Sequence, residues 1–160
     1  MEATAAASLR SLAHDALAKH LYGAAAFFAD KLVAAAGAAP PAPADVYTLA
    51  QAFFVAREHR RCLHLLRSAG AVDLDLRFRY LAARCLAECR EWEEALELLG
   101  GPDAESAAEL GLGAPGPGAG KGGALDGLSA ACTLRGAAFD ALENFPRAAL
   151  WYKEALRVRI

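Results

Sequence analysis

The stretch Ser129–Ile160, SAACTLRGAAFDALENFPRAALWYKEALRVRI, decides the fold. Two amphipathic segments meet at Glu143-Asn144-Phe145-Pro146. The first carries Leu134, Gly136 and Phe139, and the second Ala148, Tyr152 and Ala155, at helical spacing. Glycine costs a helix interior about 1 kcal/mol relative to alanine. Gly136 therefore predicts a neighbouring helix packed close against its backbone. Pro146 suits the first turn of the second segment, where a missing N–H costs little. The stretch reads as two antiparallel helices joined by a tight turn.

The same pattern recurs upstream. Residues 8–20 and 24–36 predict one helical pair, closed by Gly37 as a C-terminal stop. The proline-restricted linker APPAPA (39–44) follows. Asp45 is a plausible N-cap for a helix over 46–56, and 60–67 runs back. Asp73 or Asp75 then caps a helix over LRFRYLAARCLAEC, and 93–99 returns to Gly100-Gly101-Pro102. Aligned on their turns, Tyr22, His59, Trp92 and Phe145 occupy one position. Three residues on stand Ala25, Cys62, Ala95 and Ala148, all small; four further stand Ala29, Leu66, Leu99 and Tyr152. Nine residues before the turn stand Ala13, Ala50, Ala83 and Gly136, again small. Small side chains mark where helices touch, and larger ones fill the space between hairpins.

The turns lie 37, 33 and 53 residues apart. Two spacings are near one unit of about 34 residues, and the third is one unit plus about 19. The excess falls in the Gly/Pro-rich 102–126, which predicts a flexible insertion bulging outward as a surface loop. The reading is an all-α tetratricopeptide-repeat solenoid of about four helical hairpins over 8–160. The hairpins are expected at about 8–36, 45–69, 75–100 and 129–158. No polar capping element follows the fourth hairpin. This last hairpin is expected to expose an apolar face, covered either by further chain or by another subunit.

Composition narrows the function classes. The 160 residues are 56% hydrophobic and 22% charged, with a formal charge of −2. That describes a folded domain and supplies no electrostatic attraction for nucleic acid or anionic membrane. The start, MEATAAASLRSLAHD, does not read as a signal peptide. No apolar run approaches the roughly 20 residues of a bilayer span. Cys62, Cys85, Cys89 and Cys132 then read as reduced thiols of a cytosolic or nuclear protein.

Several constellations invite chemistry. Gly111-Leu-Gly-Ala-Pro-Gly116 matches G-x-G-x-x-G, but dinucleotide binding needs a strand before it and a helix after it. Here the context is a Pro/Gly run. Gly120-Lys121-Gly122 lacks both the first glycine and the Ser/Thr of a phosphate loop. Cys85 and Cys89, with His59, Cys62 or His64, have zinc-ligand chemistry, yet Cys62 takes a small-residue packing slot. The expectation is no metal, no cofactor and no catalytic set. Arg77, Arg79 and Arg84 form a basic face on the third hairpin. Some tetratricopeptide domains bind a chain-terminal carboxylate through a clamp of lysines and asparagines, and the single asparagine here, Asn144, sits in an inter-helix turn.

Particular words carry a further resemblance: HLYGAAAFFADKLVA (20–34), DVYTLAQAFFVAREHRRCLHLLRS (45–68), LRFRYLAARCLAECREWEEALELL (76–99) and CTLRGAAFDALENFPRAALWYKEAL (132–156). They resemble the N-terminal repeats of the tetratricopeptide subunit of the anaphase-promoting complex, or cyclosome, of the cell-division-cycle-sixteen, Cut-nine or subunit-six type. The likeness is to plant forms in particular. It implies a non-catalytic scaffold in a ubiquitin ligase that controls mitotic progression in nucleus and cytoplasm. It also implies a homodimer through these repeats, with later repeats holding a small partner subunit. The partners implied are protein: a second copy and other cyclosome subunits. Phe27, Phe28, Tyr47, Phe53 and Phe54 are the candidate interface aromatics, some of them core.

Overall fold

The computed structural model describes residues 2–112 and 121–159, with the side chains of residue 2 and of 121–126 left aside. All regular structure among the described residues is helical: α1 (Glu2–Ala18), α2 (Tyr22–Ala34), α3 (Pro43–Val55), α4 (His59–Ser68), α5 (Leu76–Glu88), α6 (Trp92–Leu98), α7 (Lys121–Ala141) and α8 (Phe145–Arg159). A short 3-10 turn spans Ala107–Leu110. The architecture is the all-α tetratricopeptide-repeat arrangement that the matched turns predict. The helices fall into two compact units, Met1–Ala71 and Val72–Ile160.

One backbone device builds all four hairpins. Each first helix ends four residues before the aligned turn residue. Two residues before it, His20, Arg57, Arg90 and Glu143 adopt left-handed φ of 59°, 63°, 63° and 59°. The following N–H donates back across the turn, Leu21 to Ala16, Glu58 to Phe53, Glu91 to Leu86 and Asn144 to Phe139, at 2.8–2.9 Å. This is the Schellman C-cap, which satisfies carbonyls the helix end would orphan. Glycine usually occupies its left-handed position, and none of the four is glycine. Tyr22, His59, Trp92 and Phe145 each become the first residue of the second helix.

In the first unit α2 packs between α1 and α3, and α4 closes against α3. Ala13, Ala25 and Ala50 are fully buried, as is Cys62. Alanine at these points removes side-chain bulk where helix backbones approach. Asp45 is not an N-cap. Pro43 takes the first helical position after Ala42, so Asp45 sits inside the first turn. Buried to 5% exposure, it accepts from Arg10 Nε at 2.7 Å and Arg10 Nη2 at 2.8 Å. That bidentate pair ties α1 to α3.

In the second unit α5 packs on α6, α7 contacts both, and α8 lies against α7. Asp75, not Asp73, caps α5, accepting from the backbone N–H of Arg77 at 2.8 Å. Ala83, Ala95 and Ala148 are buried. Gly136 meets its partner helix as expected, since a Cβ there would lie 2.7 Å from the Tyr152 ring.

Two segments differ from expectation. Helix α1 begins at Glu2 rather than near residue 8, because the Ala-rich start has high helix propensity. The 102–126 segment is not one outward loop. Ala104, Ala107, Leu110 and Leu112 are buried, and the Ala107 N–H donates to Glu154 Oε2 at 3.0 Å. Arg147 hydrogen-bonds the Pro102 carbonyl. Gly100, at φ 104°, lets Leu110 approach to within 2.8 Å of where a Cβ would stand. The backbone is already helical from Lys121. Residues 113–120, with most of the G-x-G-x-x-G motif, lie outside the described residues.

Candidate protein-interaction surfaces

The candidate aromatics separate by environment. Phe27 is 58% exposed and packs edge-on against half-buried Phe28 at 5.7 Å between centroids. Phe28 rests on the Ala16, Ala25 and Ala52 cluster. Phe53 is core, at 6% exposure. Tyr47 and Phe54 are half-buried, and Phe54 meets His59 in a T-shaped contact at 5.1 Å. Only Phe27 presents most of its ring to solvent. Helical geometry separates them: Phe53 falls on the buried stripe of α3 with Val46, Leu49 and Ala50.

The turn residues also divide. Tyr22, His59 and Trp92 are half-buried, whereas Phe145 is 62% exposed. Four residues beyond the small position, Ala29, Leu66 and Leu99 are fully buried, while Tyr152 is 40% exposed. Leu156 adds 64% exposure. Phe145, Tyr152 and Leu156 stand at i, i+7 and i+11, so they form one apolar ridge along α8. The expectation that the last hairpin shows an apolar face agrees with this ridge.

A groove runs between α5 and α7. One recess of about 390 Å³ is lined by Tyr80, Ser129, Thr133 and Arg159, and its neighbour of about 320 Å³ by Arg84, Glu88, Arg90 and Trp92. Leu134 and Ala137 belong to both. The basic face expected on the third hairpin is neutralised locally. Arg77 pairs with Asp75 at 3.0 Å, Arg79 with Asp73 at 3.0 Å, and Arg84 reaches Glu88 at 4.0 Å.

The fourth hairpin holds a group that spacing should have flagged. Arg135 lies between Cys132 and Phe139, at i+3 and i−4 from them, on the apolar stripe of α7. It is fully buried. Its guanidinium stacks 4.1 Å from the Trp151 ring centroid and donates from Nη1 to the Leu99 carbonyl at 3.0 Å. Burial pulls its pKa down to about 10. Beside it, burial pushes the Cys132 thiol up to about 11, with Glu154 adding to the rise. That thiol stays protonated and unreactive at neutral pH. Glu154 is held down to about 2, chiefly by the Arg157 hydrogen bond and then by the Ala107 N–H.

Among the described residues no three His, Cys, Asp or Glu side chains converge as metal ligands. Cys62, Cys85 and Cys132 are buried cysteines outside any disulfide, and Cys89 is half-buried. No described helix is long and apolar enough to cross a membrane.

Comparison with known proteins agrees with the repeat words. The family model of anaphase-promoting complex, cyclosome, subunit 3 matches residues 18–102. The chain is 40% identical over 158 residues to anaphase-promoting complex subunit 6 of Arabidopsis thaliana, covering 93% of this chain and 28% of that protein. It is 34% identical over 155 residues to anaphase-promoting complex subunit cut9 of Schizosaccharomyces pombe, covering 94% and 21%. The crystal structure of the Cut9–Hcn1 hetero-tetramer superposes with a TM-score of 0.75 at 34% identity, over 94% of this chain and 26% of that one. The chain thus spans about a quarter of the length of the proteins it matches. With four turns in one register and over half of its residues inside the family model, the chain belongs to the anaphase-promoting complex, cyclosome, subunit 3 family.

Proposed function

We propose that this chain is a non-catalytic scaffold segment of the anaphase-promoting complex, acting in nucleus and cytoplasm through protein contacts that include a second copy of itself. The observation that carries this reading is the 40% identity to the plant subunit across 93% of the chain. The exposed surfaces support it. Phe27 and the Phe145–Tyr152–Leu156 ridge offer apolar area of the kind that marks protein contacts, and the buried thiols are suited to packing. Co-precipitation of tagged chain with cyclosome subunits tests the scaffold role. Light scattering at tens of micromolar tests the second copy. A monomeric mass across that range overturns homodimerisation, and failure to recover any cyclosome subunit overturns the scaffold.

A second reading is a repeat adaptor that seats a peptide in a groove. The α5–α7 groove, with Leu134 and Ala137 at its base and Arg84, Arg90 and Arg159 near it, favours this. Leu134→Arg on α7 would block such a peptide. Unchanged recovery of every partner by that variant removes the adaptor reading.

A further inference from the structure

A recess of about 380 Å³ opens in the first unit, lined from α2 by Asp30, from α3 by Leu49 and Phe53, and from α4 by Arg60, Arg61 and His64 among others. We propose that this recess docks an acidic peptide segment that inserts one apolar side chain. The proposal goes beyond the scaffold reading and does not depend on the family.

The amphipathic division of α4 builds the site. Cys62, Leu63 and Leu66 face the core, so helical periodicity drives Arg60, Arg61, His64 and Arg67 outward, where all four are exposed. Residues 57–68 hold four arginines and two histidines against one acid, Glu58. The whole chain is net acidic, so this positive patch runs against the average. Its floor is apolar, made by Leu49, Phe53 and Leu65. A volume near 400 Å³ lies in the range of ligand-sized clefts and accepts a Leu, Met or Phe side chain.

Arg61 is held in place before any partner arrives. Its guanidinium lies 4.3 Å from the Phe53 ring centroid, and its Nη1 donates to Glu58 at 2.5 Å. A cation ordered by stacking and pairing loses less rotamer entropy on binding. The one carboxylate on the recess wall, Asp30, stands on α2 and is exposed. It disfavours acids on that side and directs them toward α4. Carboxylates meeting arginine forks gain bidentate hydrogen bonds, and the apolar side chain adds burial in the floor. The two features together select a peptide with acids flanking a hydrophobic residue, rather than a plain polyanion.

Fluorescence anisotropy on the full chain tests this. The probe is a labelled synthetic peptide of alternating Asp and Glu around a central Phe-Leu pair. Saturable binding is expected, weakening as salt rises. Replacing Phe-Leu by Ser-Ser, or the acids by Lys, should weaken it about tenfold or more, and so should the double variant Arg60→Glu with Arg61→Glu. Both arginines are exposed, and circular dichroism of the variant checks that it folds. Arg61→Lys, keeping charge but losing the stack, should fall between. Four results overturn the proposal: no saturable binding, equal binding of the lysine peptide, unchanged affinity in the double variant, or equal competition by a single-stranded oligonucleotide. Light scattering in which the double variant abolishes self-association would assign the patch to a second copy instead, and overturns it too.

Discussion

Gly136 and Arg135 are adjacent in sequence and opposite in logic. Gly136 is a gap: a methyl there would lie 2.7 Å from two atoms of the Tyr152 ring. Alanine should add about 1 kcal/mol of helix propensity but must displace that ring. Gly136→Ala is therefore expected to gain nothing, or to lose stability, in the native chain. In a Tyr152→Ala background the same change should stabilise by about 1 kcal/mol. Urea titration of the four-member cycle measures the difference, and additivity would disprove the contact. Arg135 fills a space: it is a buried cation stacked on Trp151 with Nε and Nη2 lacking an acceptor among the described residues. Burial without full pairing is costly. Arg135→Ala leaves a cavity beside Trp151 and an orphaned Leu99 carbonyl, and should cost about 2–4 kcal/mol. Arg135→Met keeps the volume and sheds the charge, so it should cost much less. Denaturation midpoints that rank Met below Ala would contradict this account.

At the scale of the element, the four turns share a strained residue. A left-handed non-glycine residue costs roughly 1–2 kcal/mol in backbone terms. Arg90, exposed at φ 63°, makes the test simple. Arg90→Gly should raise stability by about 0.5–1 kcal/mol, and Arg90→Val should lower it. A thermal melt in which glycine destabilises would mean that the Arg90 side chain contributes contacts outweighing the strain. The 3-10 turn raises a pH question. Glu154 on α8 holds the Ala107 N–H, and its folded pKa, about 2, lies below its ordinary 4.5. A depressed carboxyl stabilises the fold above pH 4.5, and the contribution disappears as pH falls from 4.5 toward 2. Glu154→Gln should therefore flatten the acid limb of stability against pH while changing little in its shape above pH 6. Equal acid limbs in both chains would show that the carboxylate carries no such linkage.

At the scale of the whole molecule, surface character decides what the chain can hold. The ridge of Phe145, Tyr152 and Leu156 is open, whereas Ala29, Leu66 and Leu99, which stand where Tyr152 does in the other hairpins, are fully covered. Phe145→Glu with Leu156→Glu alters only exposed side chains, so folding stability should shift by no more than about 0.5 kcal/mol per site. If the proposed self-association runs through the ridge, concentration-dependent association read by sedimentation velocity should weaken in this variant. Association that persists unchanged would exclude the ridge and leave Phe27 as another exposed aromatic to test.

Periodicity made the hairpins legible from residues alone. Ala13, Ala25, Ala50, Ala83, Ala95 and Ala148 recur at matched offsets because only small side chains let helix backbones approach, and each is buried. Tyr22, His59, Trp92 and Phe145 were readable as turn markers for the same local reason. What side-chain type could not decide was which large residue would be left uncovered. Phe27 and Phe53 are both phenylalanine on amphipathic helices, yet one is open and the other core, because exposure depends on the helices packed around each. Arg10 with Asp45, and Arg135 with Trp151, required tertiary structure because their partners lie on different helices. The 102–112 segment likewise reads as a flexible surface loop by composition, and only docking on Glu154 and Arg147 gives it a fixed course. Local spacing determined the rods and their pairing, and the packing of each unit decided which of their faces remain available to a partner.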